Sequence, residues 1–267
     1  MNHKRLKAIY REKRYVCGAY LDVYTYPVVP YAKPAPGKRT KKRPSREAQK
    51  KLNQRHARER MARVMHANFD ENDLALTLTY RENPESREQA VKKFQRWLRK
   101  IRRFYKRSGL ELKYIWQMER SRKGRYHVHV VISGGVDRDT LEKLWTHGYA
   151  NTKRLQFDAA GLAALARYIT KSHHEDGEER VTYRSYNGSK NLTNPEPEIN
   201  DTRIRSRKRA AALADMDPDA WAELYPDYQV VDIETFHSDE YGGIYLFARL
   251  CRTEARRART HGRRSKK

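Results

Sequence analysis

The chain has little cysteine, little acid and no long apolar run. Its two cysteines, Cys17 and Cys251 among 267 residues, show no paired metal-ligand spacing. A zinc ribbon or a disulfide framework is therefore not expected, and a reducing cytoplasm is. No stretch approaches the roughly 20 apolar residues of a membrane span, so no membrane partner is expected. The opening Met-Asn-His-Lys-Arg-Leu-Lys has basic residues with no apolar core behind them, unlike a secretory leader. No internal repeat is evident, which argues against a solenoid. Acid is scarce in relative terms, with 33 Asp plus Glu against 58 Lys plus Arg, a net charge of +25 and a pI near 10.1. Such an excess repels itself unless a polyanion neutralises it, and nucleic acid is the expected partner.

The positive charge is clustered. Lys38 to Arg63 holds twelve basic and two acidic residues, a short block follows at Arg203 to Arg209, and a basic tail runs from Arg249 to Lys267. With 38% hydrophobic residues, the chain is expected to hold one domain of about 150 to 180 residues with appendages. Three parts are expected: a basic N-terminal extension over 1–67, a central domain over 68–200 and a basic C-terminal extension over 201–267. In the first, Tyr15 to Tyr26 suits a strand or an arm, Tyr31 to Pro44 reads as a basic linker, and Ser45 caps a polar helix to about Ala67. Its Leu52, Met61, Val64 and Met65 are too sparse for deep burial, so this helix is expected on the domain surface or on DNA.

The central part alternates element types. Leu74 to Tyr80 reads as a strand, Asn83-Pro84 as a cap with a first-turn proline, and Val91, Phe94, Trp97, Leu98, Ile101, Phe104 and Tyr105 as the core stripe of a helix ending at Gly109. Then come two strands, Lys113 to Arg120 and Tyr126 to Ile132, joined by Ser121-Arg122-Lys123-Gly124. A short helix from Asp137 to His147 follows, then a strand from Tyr149 to Phe157 and a last helix bearing Tyr168. This β-α-β-β-α-β-α order predicts an α+β fold, a split βαβ antiparallel sheet of ferredoxin-like or RRM-like type with helices on one face. Beyond it, Asp217 to Trp221 starts a short helix, and Gln229 to Phe236 and Tyr241 to Leu250 read as strands.

Chemistry is concentrated in this central part. Tyr126 to Ile132 reads Tyr-His-Val-His-Val-Val-Ile, and side chains alternate along a strand, so His127 and His129 project on one side while Val128 and Val130 project on the other. In a hairpin, Glu119 falls roughly across from them, giving two imidazoles and one carboxylate. On the later helix Leu162, Leu165, Ala166 and Ile169 form the apolar stripe, and Tyr168 and Lys171 share another face. Each signal alone is weak, because the chain has ten histidines and eighteen tyrosines and also carries Tyr10-Arg11-Glu12-Lys13. A strand histidine is often structural, and a helical tyrosine often merely amphipathic. Their joint order and context favour a functional reading.

These residues resemble the HUH endonucleases, in particular the rolling-circle replication initiators of plasmid or phage type. His127-Val128-His129, Glu119 and the later Tyr168-Ile169-Thr170-Lys171 carry the resemblance, and Leu74 to Tyr80 is similar to the family's first motif. The order of motifs departs from that of conjugative relaxases, which usually place the tyrosine first. The resemblance spans about residues 68–175. It implies metal-dependent, site-specific nicking and joining of single-stranded DNA at an origin, single-stranded or cruciform, through a 5′-phosphotyrosine intermediate. His127, His129 and Glu119 would be the metal ligands, Tyr168 the nucleophile and Lys171 a catalytic cation. Arg125, Arg167, Arg184 and Lys190 are expected to contact DNA.

Mixed nitrogen and oxygen ligation suits a divalent ion such as Mn²⁺ or Mg²⁺, with zinc also compatible with these ligand types. A phenol ionises at about 10 in water and needs assistance near neutrality. Lys171 suits either that task or stabilisation of the phosphate in the transition state. Host helicase and polymerase are compatible partners, the polymerase extending the freed 3′-hydroxyl. Many phage initiators carry a second tyrosine one helical turn after the first, where this chain has Ser172. The alternatives are a single-tyrosine HUH transposase and a non-catalytic DNA-binding protein with structural histidines.

Overall fold

The computed structural model describes residues 9–28, 45–121, 123–170, 179–180, 186–238 and 243–254. They form an α+β fold with two antiparallel sheets. In chain order the elements are β1 (Ile9–Cys17), β2 (Tyr20–Val28), α1 (Arg46–Asn68), β3 (Leu74–Tyr80), α2 (Arg87–Arg107), β4 (Tyr114–Arg120) and β5 (Tyr126–Ile132). Next come α3 (Arg138–Leu144), β6 (Gly148–Arg154), α4 (Ala163–Thr170), β7 (Glu179–Arg180) and β8 (Asn187–Gly188). The chain closes with β9 (Glu198–Asn200), α5 (Arg207–Ala214), α6 (Pro218–Leu224), β10 (Tyr228–Ser238) and β11 (Gly243–Arg252). Two compact units emerge, one of residues 46–194 and one of both ends, 1–45 with 195–267. The expected divisions at 67 and 200 thus differ from the unit boundaries.

In the unit of residues 46–194 the strands run in the order β6-β3-β5-β4-β7, with β8 also paired to β4. The expected β-α-β-β-α-β-α order is present as β3-α2-β4-β5-α3-β6-α4. Strict alternation in Leu74-Ala75-Leu76-Thr77-Leu78-Thr79-Tyr80 buries Leu74, Leu76, Leu78 and Tyr80 on one face. That face meets the stripe of α2, where Ala90, Phe94, Trp97, Leu98, Ile101 and Tyr105 recur at helical spacing, and Leu141 and Trp145 at α3. Two polar groups lock the layers. The Tyr80 hydroxyl donates to the Ala90 carbonyl at 2.8 Å, and Trp145 Nε1 donates to the Thr79 carbonyl at 2.9 Å. Truncating Trp97, which is 1% exposed, costs about 3–5 kcal/mol on this account.

Two details differ from expectation. The N-cap of α2 is Ser86, which accepts from the Gln89 N–H, rather than Asn83. Asn83 instead ties down the β4–β5 turn, its amide donating to the Gly124 carbonyl and accepting from the Tyr126 N–H, both at 3.0 Å. The close approach at Gly148 is also explained by packing, because a Cβ there would lie 2.1 Å from the Thr79 carbonyl oxygen. Only glycine lets β6 begin its pairing with β3 so closely.

Helix α1 is not a surface helix throughout. Its first two turns are exposed, but Met61, Ala62, Val64, Met65 and His66 are buried. The apolar residues, sparse over the whole helix, are concentrated in its last two turns, and there they suffice to pack α1 along α4.

The two ends of the chain, expected to be separate extensions, form one sheet in the order β10-β11-β2-β1-β9. β2 pairs with β11 from Tyr20 opposite Cys251 to Thr25 opposite Leu246. Helices α5 and α6 cover one face, with Tyr10, Leu21, Val23, Leu213, Trp221 and Leu246 among the core. Both cysteines are free and buried.

Several basic residues expected to face DNA are occupied here. Arg203 of the short basic block donates to both Glu12 carboxylate oxygens, at 3.1 and 3.2 Å, and Tyr225 bonds the same carboxylate. Burial, reinforced by the Glu12 charge, pushes the Tyr225 phenol well above its ordinary range. Arg249, taken from sequence as the start of the basic tail, is 3% exposed and forms a two-armed bridge to Asp22 at 2.7 and 2.8 Å. Burial opposes its charge, but the pull of Asp22 outweighs it and raises the guanidinium pKa.

This pair yields a stability prediction. Arg249→Met strands the Asp22 carboxylate inside the sheet without its guanidinium, and urea unfolding should show a loss of about 3–5 kcal/mol. The double change Asp22→Leu with Arg249→Met should recover most of it. Equal losses in the single and double variants would contradict the assignment of the bridge as a buried pair.

Candidate active site

The second face of the sheet in residues 46–194 carries the candidate chemistry. Register fixes it as three cross-strand rows. Ile115, Val131, Ala75 and Lys153 stand in the first, Gln117, His129, Thr77 and Asn151 in the second, and Glu119, His127, Thr79 and Tyr149 in the third. Directly opposed residues of an antiparallel ladder project to the same side. The sequence placed Glu119 roughly across from the histidines, and in the structure its partner across the ladder is His127 itself. Burial falls from the middle of the sheet to its β6 edge: Gln117, Glu119 and His129 are buried, His127 is half-buried, and Tyr149 and Asn151 are exposed.

Within these rows His129 is the centre. Its Nε2 lies 3.4 Å from Glu119 Oε2, and its Nδ1 lies 3.3 Å from the Thr77 hydroxyl. A hydroxyl on one ring nitrogen fixes how the other is presented, the arrangement by which metal-ligating histidines are commonly oriented. The ring of Tyr168 meets that of His129 edge-on, with centroids 5.1 Å apart and planes at 79°. Helix α4 thus lies across this face, opposite α2 and α3, which share the other face as expected. Tyr168 is not part of the core, for it is 54% exposed while Ala166 and Ile169 beside it are buried.

Helix α4 is held by its neighbours. The Leu162 N–H at its start donates to His66 Nε2 of α1 at 2.8 Å, and the Thr170 hydroxyl donates back to the Ala166 carbonyl at 2.6 Å. His66 and Leu162 are both buried, so the imidazole satisfies an orphan donor that no backbone group of the helix reaches.

Among the described residues, no three His, Cys, Asp or Glu side chains close into a metal-holding group. What is present is a carboxylate and an imidazole 3.4 Å apart, with a second imidazole in register beside the carboxylate. Two nitrogens and one carboxylate on one strand pair fit a divalent ion in donor chemistry.

The other sequence-predicted positions divide. Lys171 and Arg184 lie outside the described residues. Arg167 and Lys190 are exposed. Arg125 is occupied by the fold, its guanidinium donating to the Tyr80 carbonyl at 2.9 Å and the Arg81 carbonyl at 3.4 Å. Sequence reasoning missed Thr77, Gln117 and His66. Period-two parity with Glu119 and the histidines would have found the first two. Nothing in the sequence marks His66, because its partner is a backbone N–H 96 residues away.

Residues 73–173 match the family model described as Replication-associated protein ORF2. No curated protein and no solved structure matches. The matched stretch begins just before β3 and contains every element that builds the three rows, together with Tyr168. It supports a replication-associated protein with DNA as its partner. Among the described residues no helix is long and apolar enough to cross a membrane.

The role of His66 can be measured. His66→Ala leaves the Leu162 N–H buried without its acceptor, and we expect about 1–3 kcal/mol less stability, with faster hydrogen exchange concentrated in α4. Exchange that quickens evenly over both units, or not at all, would show that His66 does not anchor the tyrosine helix.

Proposed function

We propose that this protein is a rolling-circle replication initiator that nicks and rejoins single-stranded DNA through Tyr168. One observation carries the reading: the Tyr168 ring, 54% exposed, rests 5.1 Å from the ring of His129, whose other side faces Glu119. A phenol buried in the apolar layer could not reach a phosphate. This one stands at the edge of the polar rows, open to solvent and beside the imidazole–carboxylate pair. The match of residues 73–173 to a replication-associated family adds to it.

The reaction follows from what a phosphodiester requires: an in-line nucleophile, relief of charge on the non-bridging oxygens and a stabilised leaving oxygen. Tyr168 gives up its phenolic proton and forms an ester to the scissile phosphorus, while the P–O3′ bond breaks and the 3′-oxygen leaves as a hydroxyl. The strand is left with a free 3′ end and a 5′-phosphotyrosyl link. Because one ester replaces another, the bond energy is retained, and a 3′-hydroxyl can later displace the tyrosine. His127, His129 and Glu119 would hold a divalent ion, Mn²⁺ or Mg²⁺, which supplies Lewis-acid charge at the phosphate. Thr77 keeps the His129 ring in place for that role, and α1, through His66, keeps α4 in place for the attack. Lys171 would assist as the cation next to the phosphate, and the solvent-facing Arg167 would guide the strand toward Tyr168 by a contact without sequence information.

The test is a covalent adduct. Incubated with a pool of random-sequence single strands in Mn²⁺, the full chain should yield protein–DNA species stable to denaturing electrophoresis and lost in EDTA. Tyr168→Phe should abolish them while leaving affinity within about twofold, and Glu119→Ala should reduce them by at least about a hundredfold. A non-catalytic DNA-binding protein forms no adduct to lose, so adducts that persist in Tyr168→Phe, or that never form, refute the reading.

A further inference from the structure

The third cross-strand row extends past the candidate catalytic residues to a side chain that the mechanism does not use. Glu119, His127 and Thr79 are followed on the edge strand β6 by Tyr149, which is 68% exposed. An exposed aromatic is by itself unremarkable on a protein surface. Three features set this one apart. It projects on the same side of the sheet as His127, fixed by register. The Arg81 guanidinium lies over its ring, 5.9 Å from the centroid. Two and four residues further along β6, on the same side, stand the exposed Asn151 and Lys153, an amide and a cation. The backbone beneath is held, since the Thr79 hydroxyl donates to the Tyr149 carbonyl at 3.3 Å and the absence of a side chain at Gly148 lets the strand sit close.

An aromatic face backed by a guanidinium, next to further hydrogen-bonding and cationic groups in a chain of net charge +25, matches the chemistry of a seat for an unpaired base. A duplex offers no free base face there, so the occupant is a single strand. Neighbouring strands are about 4.8 Å apart, which puts Tyr149 about 10 Å from His127 across two strand spacings. At about 3.4 Å per stacked nucleotide the interval is about three nucleotides, and fewer where the strand is stretched.

We propose that Tyr149, with Arg81, stacks a base within about three nucleotides of the scissile phosphate, and that Asn151 and Lys153 continue the track along β6. The inference rests on the reading of Glu119, His127, His129 and Tyr168 as the cleavage site, and it assigns the flanking subsite that would set where along the strand the cut falls.

The experiment separates the two. A single-stranded oligothymidylate 20-mer with interspersed 2-aminopurine is titrated with the full chain in EDTA, where no cleavage is required, and 2-aminopurine quenching reports stacking. Wild type and Tyr149→Phe should quench alike. Tyr149→Ala should lose most of the quench and bind about tenfold more weakly, and Arg81→Gln should fall between. Tyr168→Phe should bind and quench as wild type does. Thermal melting is expected to be unchanged for Tyr149→Ala, because the side chain lies outside the core, and Tyr149→Phe provides the comparison if it is not. Full quenching by Tyr149→Ala overturns the subsite whether or not adducts form. Quenching that depends on Tyr149 in a protein that forms no adducts keeps the platform and removes the cleavage reading.

Discussion

The register between β4 and β5 governs the site. Glu119 stands opposite His127 and Gln117 opposite His129, and a slip of one residue would send the histidines into the layer of Phe94 and Trp97 and bring Val128 and Val130 to the polar face. The turn sets this pairing. The Ser121 N–H donates to the Arg125 carbonyl, the Gly124 N–H donates to the Ser121 carbonyl, and Gly124 takes a positive φ of 74°. Asn83, from outside the hairpin, then clamps both Gly124 and Tyr126. Turn geometry and hydrophobic alternation agree, which is why a pair of neighbouring strands can hold a buried carboxylate beside a buried imidazole without ambiguity.

The same sheet serves two purposes by its two faces. One is apolar and carries the stability of residues 46–194 through α2 and α3. The other is polar in two of its three rows and is only partly covered, by α4 and α1. A buried, charge-capable row needs satisfied partners, and here the Thr77 hydroxyl and Glu119 both face His129. The tyrosine helix is the least deeply anchored part of this arrangement. It is eight residues long, and its apolar stripe is narrow. Such a helix depends on its contacts more than on its own propensity, so the hydrogen bond from Leu162 to His66 does more for the position of Tyr168 than any residue in α4 itself.

Legibility in the sequence followed the range of the interactions. Elements with a clear period were readable: β3 by alternation, α2 by its 3.6-residue stripe, the β4–β5 hairpin by its turn residues, and with them the pairing of Glu119 and the histidines. What failed was non-local. Burial of the second half of α1 depends on α4, a hundred residues later, and its mixed composition concealed a short apolar patch. The joining of β2 to β11 connects the two ends of the chain, and no local signal in Tyr20 to Val28 names Gly243 to Arg252 as the partner. Helix α5 was hidden inside a run of arginines read only as charge. The cap of α2 was misplaced by three residues because Asn83-Pro84 is a reasonable start signal, and tertiary demand from the hairpin turn drew Asn83 elsewhere.

Charge shows the same lesson in a functional setting. An excess of 25 positive charges says that a polyanion is the partner but not which arginines meet it. Arg125 is occupied by two carbonyls, Arg203 by Glu12 and Arg249 by Asp22. Each of these has an internal acceptor whose loss would destabilise the fold, so none is available to a phosphate without cost. The residues left to face DNA are those with solvent on one side and the polar rows on the other: Arg167 one position before the tyrosine, and Lys153 on the β6 edge. Side chains in these positions flank the imidazole–carboxylate pair from α4 and from the sheet edge. A strand neutralised from both sides would be drawn across the rows and past Tyr168, rather than along the opposite, helix-covered face.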